Sequence, residues 1–196
     1  VVRQHPGFRK LQSAFGSNDA GRSFPYVKES QINFLRFNAM EPSNCSMLNR
    51  GPGVSSSFVI GNQQFILMDD RSWRWAKGAK DRYAHWGKEQ EDWMWSRMAA
   101  HSGLNWIVNG SQIFPQMPFK QSTSGDHPAQ FNAVKNEIRR RRYKVALISG
   151  DVHYSEISKI EPEMFGYTTY ELTSSSMSSF KFPGLPDMYK HARRIA

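Results

Sequence analysis

The stretch Val145-Ala-Leu-Ile-Ser-Gly-Asp-Val-His-Tyr154 constrains the fold most. The apolar run from Val145 to Ile148 reads as a buried strand. Ser149-Gly150 breaks it, and Asp151 and His153 follow at once. In extended backbone alternate residues point the same way, so Asp151 and His153 share one face and Val152 turns back to the core. A carboxylate and an imidazole together at a strand end can bind a hard-to-borderline metal such as Zn, Mn or Fe. The same residues also suit a surface turn whose aspartate caps the next element.

The remaining patterns alternate between the strand and helix periods. Phe58-Val59-Ile60 and Phe65-Ile66-Leu67-Met68 flank Gly61-Asn62, which predicts a hairpin. Trp86 to His101 predicts a helix with acidic first turns, a buried face of Trp93, Met94 and Met98, and Gly103 as its stop. Asn105 to Val108 is a short strand ending at Asn109-Gly110. Pro128 to Arg142 is a second helix with Phe131, Val134 and Ile138 on one face, and Tyr167 to Leu172 is a last strand. Glu29 to Phe37 predicts a short helix capped by Ser30. Strand, helix, strand, helix, strand is α/β layering. Three strands end in polar groups: Asp69-Asp70-Arg71, Asn109, and Asp151 with His153. In α/β sheets ligands collect at such carboxyl ends.

A length of 196 residues fits one domain or part of a larger one. The net charge of +9 favours anionic partners, namely nucleic acid, phosphorylated substrates or an anionic surface. The run Arg139-Arg140-Arg141-Arg142 ends a helix, where cations are favoured, so a solvated face accounts for it. Interleaved aromatics, zinc-finger spacing and a Gly-rich phosphate loop are all missing, which disfavours nucleic acid as the partner. No apolar run approaches the roughly 20 residues of a membrane span. A single cysteine, Cys45, excludes an internal disulfide framework. Val1-Val2-Arg3-Gln4 is neither a translation start nor a leader, so the true N-terminus is expected to lie upstream.

Ser149-Gly150-Asp151-Val152-His153-Tyr154 resembles the Ser-Gly-Asp-Val-His box of PhoD-like alkaline phosphatases, within the calcineurin-like metallophosphoesterases. Four more segments agree in order. Phe15 to Gly21 resembles the tail of the Trp-Asp-Asp-His-Asp-Phe-Gly-x-Asn-Asp box, and Leu67 to Ser72 the Leu-Asp-Thr-Arg segment. Gly87 to Trp93 resembles the Gly-x-x-Gln-x-x-Trp helix start, and Tyr170 to Ser176 the Glu-x-Thr-Ser-Ser stretch. The resemblance implies a sandwich of two mixed sheets flanked by helices, here incomplete, with residues 1–196 forming part of one domain. It also implies hydrolysis of phosphate mono- or diesters through two metal ions, with Fe, Ca, Zn or Mn as candidates. Asp151 and His153 carry over as metal-binding and catalytic residues. Asn18, Asp19, Arg22, Asp69, Arg71 and Asn109 are candidates to bind the small-molecule phosphoester. Related proteins are often exported, so the resemblance favours a periplasmic or secreted location.

One departure stands out. Ser13-Ala14 occupies the place of the Trp-Asp-Asp-His-Asp residues, and no acidic residue occurs from Val1 to Asn18. The expectation is a segment lost at the Ala14/Phe15 junction. The alternative is a noncatalytic relative or fragment that binds anions or nucleic acid through its basic surface.

Overall fold

The computed structural model describes residues 21–38, 48–75, 79–114, 122–152, 154–174 and 192–195. These residues form one mixed sheet of eight strands with helices packed against it. The strands are β1 (Asn49–Arg50), β2 (Ser56–Ile60), β3 (Gln63–Leu67), β4 (Leu104–Val108), β5 (Val145–Ser149), β6 (Glu156–Ile160), β7 (Thr169–Thr173) and β8 (Ala192–Arg194). The helices are α1 (Val27–Phe37), α2 (Lys88–Ala99), α3 (Thr123–Asp126), α4 (Pro128–Arg141) and α5 (Pro162–Phe165). The strand order is β1-β2-β3-β4-β5-β7-β6-β8. The centre, β3-β4-β5-β7, is parallel and the flanking pairs are antiparallel.

The β2–β3 hairpin closes as the Gly-Asn pair predicts. Ile60 pairs with Gln63, and Gly61 takes φ +56°, which a residue without Cβ adopts freely. Side-chain alternation then sorts the sheet into two faces. On one face Ile66, Ile107 and Leu147 lie in register and continue into Glu171. Met94 and Met98 of α2, and Phe131, Val134 and Ile138 of α4, join these isoleucines and Leu147 in one buried core. The 3.6-residue spacing of the α4 trio is what puts it on a single stripe.

The opposite face is apolar and half-buried. Leu67, Val108, Ile148, Leu172 and Ile157 form one cross-strand row. Phe58, Phe65 and Trp106 form the next, with ring centroids 5.1 and 6.0 Å apart. The second sheet that the resemblance implies is not found among the described residues.

Two local expectations change. Ser30 does not cap α1; the helix starts at Val27 behind Tyr26, so Ser30 falls inside it and is buried. Its apolar residues Ile32 and Phe34 are exposed, and Phe37 is 90% exposed. The tetra-arginine run divides: Arg140 and Arg141 both pair with Glu137, while Arg142 caps α4 in the left-handed region at φ 56°.

Under the sheet, a buried polar ladder anchors the chain after β4. Glu171 is fully buried, and its two carboxylate oxygens accept the backbone N–H groups of Ile113 at 2.7 Å and Phe114 at 2.9 Å. Gln112 donates to Glu156 at 2.7 Å and to Thr173 at 3.1 Å.

Candidate active site at the carboxyl ends of the strands

The polar ends of β3, β4 and β5 do converge. Past β4, Asn109 accepts the indole N–H of Trp86 at 3.0 Å and donates to the Ser111 carbonyl at 2.8 Å. The next turn approaches Asp70 closely: a Cβ on Gly110 would stand 2.8 Å from both Asp70 carboxylate oxygens. Asp70 Oδ2 accepts from the backbone N–H of Ser111 at 2.9 Å and from its hydroxyl at 3.0 Å. The two strand ends are thereby tied.

Asp69 faces the other way and is structural. Its Oδ1 accepts from the N–H groups of Arg71 and Ser72, at 3.1 and 2.9 Å. Its Oδ2 accepts from the Ser72 hydroxyl at 2.6 Å and Val54 N–H at 3.1 Å. With four hydrogen bonds and 4% exposure it is committed to the turn. The backbone of Asp69 is clamped in turn by Gln90 of α2, which accepts from its N–H and donates to its carbonyl. Asn109 is likewise buried and engaged at both ends of its amide.

Asp151 is exposed, and Val152 behind it is fully buried, as the alternation predicted. The cause differs from the expected extended backbone. Asp151 adopts φ 71°, a left-handed turn that aspartate tolerates better than most residues. Gly150 makes the passage possible, since a Cβ there would lie 3.3 Å from the carbonyls of Gly110 and Ser174. Arg71 is partly exposed beside Asp70, with Nε 4.0 Å from Oδ1. Arg22 sits apart from this turn, its guanidinium 4.0 Å over the Trp75 ring and its N–H on the Arg74 carbonyl. His153, Asn18 and Asp19 lie outside the described residues.

Four residues at the centre escape a reading by local motif: Arg74, His85, Asp126 and His127. Arg74 is 5% exposed and donates to Asp126 at 3.1 Å. His85 and His127 are both fully buried, their rings stacked at 4.8 Å, with Trp86 stacked on His85 at 5.4 Å. Gln130 holds this segment by accepting from the N–H groups of His85 and Trp86. Burial, then the Arg74 charge, drives both imidazoles toward the neutral form. His85 titrates well below its ordinary value and His127 falls to about 4, with Asp126 pulling the latter upward. Burial also lowers Arg74, aided by Arg71; Asp70, Asp126 and Asp151 oppose it. Arg74 is thus the cation about which carboxylates from the ends of β3 and β5 gather. The one local signal for these residues is Asp126-His127-Pro128, two titratable residues set against a helix start.

The described residues do not compose a two-metal centre. No group of three His, Cys, Asp or Glu side chains among them is placed to hold a metal ion. Asp69 is saturated, Asp70 is bonded to Ser111, and the Arg74 guanidinium pairs with Asp126. No protein-family model, curated protein or solved structure compared with the chain matches it.

Proposed function

We propose that the chain is part of a metal-dependent phosphoester hydrolase of PhoD-like type, acting where β3, β4 and β5 end. The observation that carries this reading is Asp151. It is an exposed carboxylate, held in a left-handed turn at the end of a central parallel strand, within the field of Arg74. Strand ends of this kind are where α/β sheets bind ligands. The partly exposed Arg71 supplies a guanidinium that can pair with phosphate oxygens. Two cations would contribute activated water and neutralisation of the phosphate charge; their donors would have to come largely from beyond the described residues. On this reading the open apolar face of the sheet receives a second sheet, completing a sandwich.

The test is hydrolysis of a chromogenic phosphate ester with added Mn, Zn, Ca or ferric ions. Turnover should vanish with a strong chelator and in Asp151→Asn. Turnover that survives both removes the proposal. The lack of a three-donor group among the described residues favours one rival, a noncatalytic relative that binds anions. Salt-sensitive binding of DNA or phosphate without turnover would establish that rival.

A further inference from the structure

On the segments that meet at the Arg74–Asp126 ion pair, six buried polar atoms have no hydrogen-bond partner among the described residues. They are Arg74 Nη1, both ring nitrogens of His127, Thr123 Oγ1, Ser124 Oγ and one ring nitrogen of His85, whose other nitrogen bonds the Asp70 backbone. Every one of these side chains is at least nine-tenths buried. An unsatisfied buried polar group costs about 1–3 kcal/mol. Six of them on segments that meet at one ion pair therefore call for something that satisfies them together.

The donor inventory narrows what that is. A guanidinium only donates, a neutral imidazole has one N–H, and hydroxyls rotate to donate. A cation is disfavoured by Arg74, and no group of three His, Cys, Asp or Glu side chains among the described residues is placed to hold one. We infer that Arg74, His85, His127 and the Thr123-Ser124 turn form a buried site for a small tetrahedral oxyanion, as inorganic phosphate or the terminal phosphoryl group of a monoester. The choice of phosphate among oxyanions rests on the proposed function; the donor geometry does not.

Charge makes a further demand. Arg71 and Arg74 face Asp70, Asp126 and Asp151, and both imidazoles are neutral. Against that balance, an entering anion draws a proton onto one of the stacked histidines. Binding therefore tightens as pH falls, by up to about tenfold per unit for one proton taken up.

The experiment is calorimetric titration of the whole chain with inorganic phosphate, methyl phosphate and dimethyl phosphate between pH 6 and 8. The first two bind saturably, more tightly at pH 6, and the diester does not bind. Arg74→Met alone would leave Asp126 buried without its cation, so the variants are Ser124→Ala and the double Arg74→Met/Asp126→Leu. At least one weakens phosphate binding about tenfold or more, the worth of a charge-assisted hydrogen bond. No phosphate binding, or equal affinity in wild type and both variants, overturns the site. So does a crystal structure in saturating phosphate with only water at the His85 and His127 nitrogens. The two proposals separate cleanly: binding without ester turnover keeps the oxyanion site and removes the hydrolase, while turnover without phosphate binding does the reverse.

Discussion

Glu171→Gln should change how stability depends on pH. Glu171 is fully buried and carries the backbone N–H groups of Ile113 and Phe114. Burial raises its pKa from 4.5 to about 7; the two backbone bonds and Ser149 pull down, and Glu156 pushes up. The folded pKa lies above the unfolded one, so the fold favours the protonated acid. That stability is fully present below pH 4.5 and drains away as pH rises to about 7. At 1.36 kcal/mol per pH unit the whole effect is about 3 kcal/mol, most of it between pH 5 and 8. Glutamine cannot ionise, but its amide N–H₂ faces a backbone donor that the carboxyl had accepted, so the variant is less stable at pH 5. The deficit should shrink by about 2–3 kcal/mol by pH 8. Urea unfolding of both proteins at pH 5, 6, 7 and 8 measures it. Taking the difference matters, because His127 acts in the opposite sense, losing stability as pH falls from 6.5 toward about 4. A wild-type-minus-variant difference that stays flat across this range would refute a protonated Glu171.

Two further substitutions probe the strand ends and the helix cap. Gly110→Ala places a methyl 2.8 Å from the Asp70 carboxylate and must break its bonds to Ser111. A loss of about 1–3 kcal/mol is expected in denaturant unfolding, and an unchanged midpoint would show that Asp70 is not fixed there. Arg142→Gly relieves a left-handed residue at φ 56°. Allowing for the extra freedom of glycine in the unfolded chain, the urea midpoint should rise by about 0.5–1 kcal/mol equivalent; a fall would mean that the Arg142 side chain stabilises the fold.

The parts legible in the sequence are those with short-range causes. The Gly61-Asn62 turn, the Phe131-Val134-Ile138 stripe and the inward Val152 all follow from spacing within a few residues. Trp93, expected on the buried helix face, packs against the core only partly buried, and Trp95 is the buried tryptophan of α2. The site is less legible because its chemistry is assembled from afar. Arg74 and Asp126 are 52 residues apart, and nothing near either indicates that they meet. Asp69 and Asp70 are neighbours with different fates, decided by which way the chain turns after β3. Asp69 bends back onto Val54 and Ser72, and Asp70 reaches Ser111. Asp151 owes its exposure to a left-handed backbone angle that no alternation rule contains.

The parallel centre of the sheet also fixes the order in which the protein can fold. The β2–β3 hairpin closes over a two-residue turn, and β6 meets β7 after a short connection. β3 and β4, and then β4 and β5, pair only after about forty intervening residues have been traversed. Loop closure across such spans comes before the contacts that reward it. The hairpins therefore form early, while Ile66, Ile107 and Leu147 wait for one another with their apolar edges bare. Refolding should be slow, and the waiting strands are where chains stick to each other as concentration rises.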